Sequence, residues 1–136
     1  MPSWKKIITS GSNAVVNEVT SSGNVQFLSA VRSVQGGSSI TGANNIDLTT
    51  KSNFNYTLTG NVTLTPTNIA GREGQSGIIG LIQDGTGGHT ITLNALFKTP
   101  RGDSIAFDTT ADGISLMSYY VVNSTNVAVN YLGPFS

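Results

Sequence analysis

His89 is the only histidine of the chain, and it directly follows Gly87-Gly88 at the start of an alternating run. A lone imidazole serves as a general base only where a nucleophile and an orienting carboxylate converge on it. The nucleophile-elbow pattern Gly-x-Ser-x-Gly is absent, and Gly74-Gln75-Ser76-Gly77 falls one residue short of it. Asp103, Asp108 and Asp112 lie close together, with Glu73 and Asp84 in other loops. Paired acids could hydrolyse a glycoside and clustered oxygens could hold Ca²⁺, but neither motif spacing is present. Asp108-x-x-x-Asp112 also lacks the glycine-centred ligand loop. Such residues are expected to bond their own turns. Gly85-Thr86-Gly87-Gly88 lacks the Lys and Ser/Thr of a phosphate-cradling loop. With no Cys there is no disulfide, thiolate metal site or thiol nucleophile. The expectation is a non-enzymatic protein with neither metal nor cofactor.

Binding residues are better represented. Tyr119, Tyr120 and Tyr131 fall on adjacent expected strands and could form a carbohydrate-binding face, although alternation sends half of them inward. Together with the polar loop at 84–89, this makes Asp84, Thr86, His89 and Tyr119 the expected contacts for a surface glycan. Arg101-Gly102-Asp103 matches an adhesion tripeptide, but after Pro100 it reads as turn chemistry. Trp4 stands beside Lys5-Lys6 and Ile7-Ile8 with nothing local to pack on. Trp4, Lys5, Lys6, Ile7 and Ile8 are therefore expected to anchor the chain to a partner.

The elements that must position these residues are strands. Gly, Ser, Thr and Asn fill close to half of the 136 positions, while strong helix formers are scarce. Only 10% of positions are charged and the net charge is zero. No basic cluster rises above Lys5-Lys6, which excludes nucleic acid as the main partner. No stretch approaches the roughly 20 apolar residues of a membrane helix. Ile7-Ile8 is far too short for the apolar region of a secretory signal, so assembly in a reducing cytoplasm is expected.

The chain divides near residue 45. Residues 1–45 are irregular and are expected to form an extended N-terminal arm that attaches the protein. Residues 46–136 are expected to form an all-β domain, a jelly-roll-like sandwich of seven or eight antiparallel strands. Residues 53–58 and 62–65 read as one hairpin around Thr59-Gly60-Asn61. Gly77–Gln83 is apolar on both faces, like a central strand, and leads into a second hairpin with 89–93. A third pair joins 114–122 to 127–132, and 105–107 supplies a short extra strand. Neutral charge, a small-polar surface and surplus apolar alternation predict self-association as a homotrimer.

Several strings resemble bacteriophage virion surface proteins, of tail-fibre-like or capsid-decoration type. The opening Ser3-Trp4-Lys5-Lys6-Ile7-Ile8-Thr9-Ser10-Gly11-Ser12-Asn13-Ala14 is similar to an N-terminal signature of such proteins. Tyr56–Thr65, Gly74–Gly77, Gln83–Leu93 and Tyr120–Val127 resemble their small C-terminal β domain. The resemblance implies a non-enzymatic, trimeric virion component. Its implied partners are the major capsid protein or a tail protein of the same phage, and a host-surface glycan. Capsid decoration is the first expectation, with a short tail fibre or adaptor subunit as the alternative.

Overall fold

The computed structural model of the protein describes residues 22–23 and 35–135. The chain divides into two compact units, Met1–Val31 and Arg32–Ser136, and every strand described belongs to the second. The strands are β1 (Gln35–Asp47), β2 (Asn53–Thr67), β3 (Ser76–Gln83), β4 (Ile91–Leu93), β5 (Phe97–Lys98), β6 (Ile114–Asn123) and β7 (Asn126–Tyr131). A single 3₁₀ turn at Pro100–Gly102 is the only helical element among the described residues. The second unit is all-β, as composition predicts.

Register decides how these strands are connected. Gln35 is level with Asn53 and Asp47 with Thr67, so β1 and β2 run parallel along their full length. A straight strand as long as β1 would span about 40 Å at roughly 3.3 Å per residue. Residues 48–52 can carry the chain back over only about half of that distance. The strand must therefore bend, and its register shifts between Ile40 and Gly42. On β2 the matching corner lies at residues 59–61, where a Cβ on Gly60 would run into the Thr41 side chain. Each passage is one turn of a coil, and the next turn stacks on its edge. The first half of β2 carries β3 (Phe54 level with Ile79), and the second half carries β4 (Val62 level with Ile91), both parallel.

Two antiparallel pairs follow, β3–β6 and β6–β7, and β5 then lies parallel to β7. The strand order is β1-β2-β3-β6-β7-β5, with β4 on β2. The Asn94 amide donates to Leu64 O, and the Val127 amide to Leu96 O, both at 2.9 Å. The short β4–β5 segment thus joins β2 to β7, and the hydrogen-bonded path curls back on itself around the core. Closure of this kind satisfies strand edges that would otherwise face water.

In-register pairs share a face, so the core is built from ladders. Phe54, Ile79 and Met117 form one, and Ile40, Leu58 and Gln83 another. Leu58, Ile79 and Met117 are completely buried.

The architecture corrects several expectations. Residues 35–45, assigned to the arm, belong to the sheet as β1. The two runs at 53–58 and 62–65 are halves of one bent strand, and β3 and β4 pair with β2 rather than with each other. An antiparallel sandwich thus gives way to a mixed, coiled sheet. No strand forms at 105–107, and Phe97–Lys98 takes the place beside β7. The third expected pair is present as the β6–β7 hairpin.

Candidate functional site

The loop singled out by its His and Asp is a corner of the coil, between β3 and β4. Gln83, the last residue of β3, is only 1% exposed although polar. Its amide donates to His89 O at 2.8 Å and to Asp108 O at 3.0 Å, and its carbonyl accepts from the His89 amide at 3.1 Å. One buried side chain therefore ties the 84–89 corner to the 108–113 loop. The backbone completes the junction: Gly88 donates to Thr109 O, Asp112 to Asp84 O, and Gln83 to Gly113 O. Gly87 packs where these segments meet, with φ at 67°. A Cβ there would lie 2.6 Å from the Ala111 nitrogen, so only glycine fits.

Asp84 organises the corner. Its Oδ1 accepts from the Thr86 and Gly87 amides at 2.9 and 3.0 Å, and lies 3.0 Å from His89 Nε2. The Gly87 and Thr86 amides, followed by the His89 imidazole, hold the Asp84 carboxyl below its ordinary value. Asp108 does the same in its own loop, accepting from the Thr110 amide and hydroxyl at 3.0 and 2.9 Å. Those bonds hold its carboxyl low as well. A glycosidic general acid needs a carboxyl pushed the other way, up towards neutrality. Among the described residues no group of three or more His, Asp and Glu could hold a metal ion.

Asp84, Thr86 and His89 thus share one corner. His89 and Asp84 are partly screened, with side chains 16% and 26% exposed, whereas Thr86 faces solvent. Tyr119 does not join them. It is 3% exposed, its hydroxyl donates to Ser52 O at 2.9 Å, and it receives the Gln75 amide at 3.2 Å. Burial pushes its phenol up, partly offset by the Gln75 bond. Gln75 also donates to Leu48 O and Lys51 O, so this pair fastens the corner between β1 and β2. Tyr119 is a core residue rather than a surface contact. Alternation sends it inward and leaves Tyr120, at 52% exposed, outward. Trp4, Lys5, Lys6, Ile7 and Ile8 lie outside the described residues.

Sequence reasoning missed one concavity. A groove of about 380 Å³ runs between the β4–β5 segment and residues 99–107, lined by Leu93, Asn94, Phe97, Asp103 and Phe107 among others. It stands at the small end of the roughly 300–1,000 Å³ range of ligand pockets. It exists because β4 and β5 bridge β2 and β7, and no local pattern announces that. Arg101-Gly102-Asp103 forms a tight, exposed turn with Arg101 at φ 58°, and its Gly102 and Asp103 line the groove.

Residues 45–126 match a family model described as Putative phage tail fibre C-terminal domain. The match takes in β2 to β6, both loops of the corner and the groove. No curated protein and no solved structure matches the chain.

Proposed function

Because this chain belongs to the phage tail fibre C-terminal domain family, and is on that ground a phage structural protein, we propose that it acts as a non-enzymatic building module of a tail fibre. The observation that carries this reading is the match over residues 45–126, which covers most of the coiled sheet. Capsid decoration rested on composition and on a broader resemblance, and the family match favours the tail alternative over it. The non-enzymatic part is supported by the corner itself. Its one imidazole and the Asp84 carboxylate are engaged with each other and with backbone amides. In this reading the module associates as a homotrimer with its own copies. Trp4, Lys5, Lys6, Ile7 and Ile8 attach it to a tail protein of the same particle. The 84–89 corner, with Thr86 exposed, is the surface offered to a host glycan.

Localisation tests the reading. Gold-labelled antibody against the purified protein should mark the tail of intact particles, with few copies per virion. Label spread over the head, with copies in the hundreds, would overturn it in favour of decoration. Deleting residues 1–12 should leave a folded protein that no longer joins particles; full incorporation of that truncation would remove the anchor from the proposal.

A further inference from the structure

Among the described residues, the large hydrophobic side chains left in solvent are not scattered. Ile114, Tyr120, Val122, Leu132 and Phe135 are 37%, 52%, 51%, 43% and 47% exposed. All five lie on one face of one sheet. On β6 the buried residues are Ser115, Met117, Tyr119 and Val121, so Ile114, Leu116, Ser118, Tyr120 and Val122 point the other way. Leu132 is bonded level with Leu116, and Phe135 pairs with Ile114, which puts both on that same outer face. On β3 the outward residues are Ile78, Gly80 and Ile82, level with Ser118, Leu116 and Ile114. Ile78 and Ile82 are only half-buried. The two apolar faces of β3 thus have different fates: the inner one is sealed in the core, and over the outer one the described residues place no layer.

This face carries no charge. No Asp, Glu, Lys or Arg occurs in β3, β6, β7 or residues 132–135. The charged residues described in this unit lie in its corners and loops, at the end of β1 and in β5. Together with the neighbouring half of β2, the face is four strands wide. At about 4.8 Å per strand and 3.3 Å per residue it measures roughly 19 by 30 Å. That is at most about 600 Å² per copy, or about 1,800 Å² in all for three copies gathered around one axis. Asn55, Thr57, Ser118 and Asn130 lie on the same face, so the apolar side chains form only part of that area.

We propose that the outer face of the β3–β6–β7 sheet, centred on Leu116 and Tyr120, is the surface through which copies of this chain pack against one another. Side chains gathered around a threefold axis lie close to their own kind, so a charge placed there would meet like charges from the other copies. An uncharged face on a protein of zero net charge meets that condition, whereas a different partner would not require it. Sheet faces pack about 10 Å apart by interdigitating such side chains. This deepens the homotrimer part of the proposed function, and the two fail separately.

The experiment is light scattering and sedimentation of the purified full chain. The wild type is expected to be oligomeric at micromolar concentration. Tyr120→Lys and Val122→Lys are expected to give monomers with an unchanged far-ultraviolet spectrum, while Thr63→Lys, an exposed change on β2, stays oligomeric. The chain has no cysteine, so single Val122→Cys and Thr63→Cys variants add a readout independent of the lysine variants. Oxidation should cross-link the first into covalent dimers and leave the second as single chains. A monomeric wild type overturns both the face and the oligomer. An oligomer that survives both lysine changes, or cross-links at Thr63→Cys and not at Val122→Cys, overturns the face alone.

Discussion

In the β6–β7 hairpin, the chain turns at Ser124-Thr125 and each strand finds its partner within a few residues. In the coil built by β1, β2, β3 and β4, every strand finds its partner a full turn further along. Both regions draw on the same alphabet of Val, Ile, Leu, Thr, Ser and Asn. The hairpin is secured locally: Asn123 Oδ1 accepts from the Thr125 amide and hydroxyl and from the Asn126 side chain, at 3.0–3.1 Å. The coil is secured at its corners by residues far apart in sequence. Gln75 and Tyr119 hold the first corner, Asn61 receives the Thr90 amide at 2.9 Å, and Gln83 binds the last corner to 108–113. The lesson is that a corner in a coil must be fastened by other turns, because it closes no ladder of its own. Damage to the coil should therefore propagate, and damage to the hairpin turn should stay local.

The largest effect is expected inside the coil's ladder. Leu58→Ala leaves a hole between Ile40 and Gln83 at a site with no exposure. Leu-to-Ala changes at such sites cost about 2–5 kcal/mol. The urea midpoint should fall accordingly; an unchanged midpoint would mean that the turns do not bear on one another. Gln83→Leu keeps the bulk of the side chain but strips partners from His89 O, Asp108 O and the His89 amide. All three bonds are only part-buried, so water can replace most of what they lose and the combined cost is about 1–3 kcal/mol. The same denaturation assay should report a loss smaller than that of Leu58→Ala, with faster amide exchange in both 84–89 and 108–113. Exchange confined to one loop would separate the two segments.

Asn123→Ala probes the other side of the comparison. Its three bonds are exposed, so the cost should be about 0.5–1 kcal/mol, with the β2–β3 amides unaffected. A loss as large as that of Gln83→Leu would erase the distinction between local and distant fastening. The smallest effect is electrostatic. Asp84 has its folded value lowered from 3.8, first by the Gly87 amide, then by that of Thr86. Its contribution is therefore fully present above 3.8 and is lost as pH falls below that through the lowered folded value. The Thr86 and Gly87 amide resonances should shift together over that acidic range, and Asp84→Asn should abolish the shift. Movement of the Asn123 turn with the same midpoint would show that the regions are coupled.

Where the chain's own geometry suffices, the sequence could be read directly. The alternation of 114–122 and 127–132 around the polar turn at 123–126 predicts the β6–β7 hairpin, because so short a connection brings the two strands side by side. The double apolar faces of 77–83 predict a central strand, and β3 does lie between β2 and β6. Asp84 and His89, five residues apart, were legible as one loop. The pairing of the other strands was not, since alternation reports which face of a strand meets the core and says nothing about which edge it bonds. Gln35-Gly36-Gly37-Ser38-Ser39-Ile40 has no strand pattern at all, yet it is β1 because β2 offers an edge along its whole length. The pairing registry likewise decided that Tyr119 turns inward and Tyr120 outward. Composition alone made the second unit all-β, whereas the stacking of turns brought 84–89 against 108–113 and gathered the exposed Ile, Val, Leu, Tyr and Phe side chains on one uncharged face. Backbone hydrogen bonds between distant segments are not encoded in any short window, so only the folded chain could supply them.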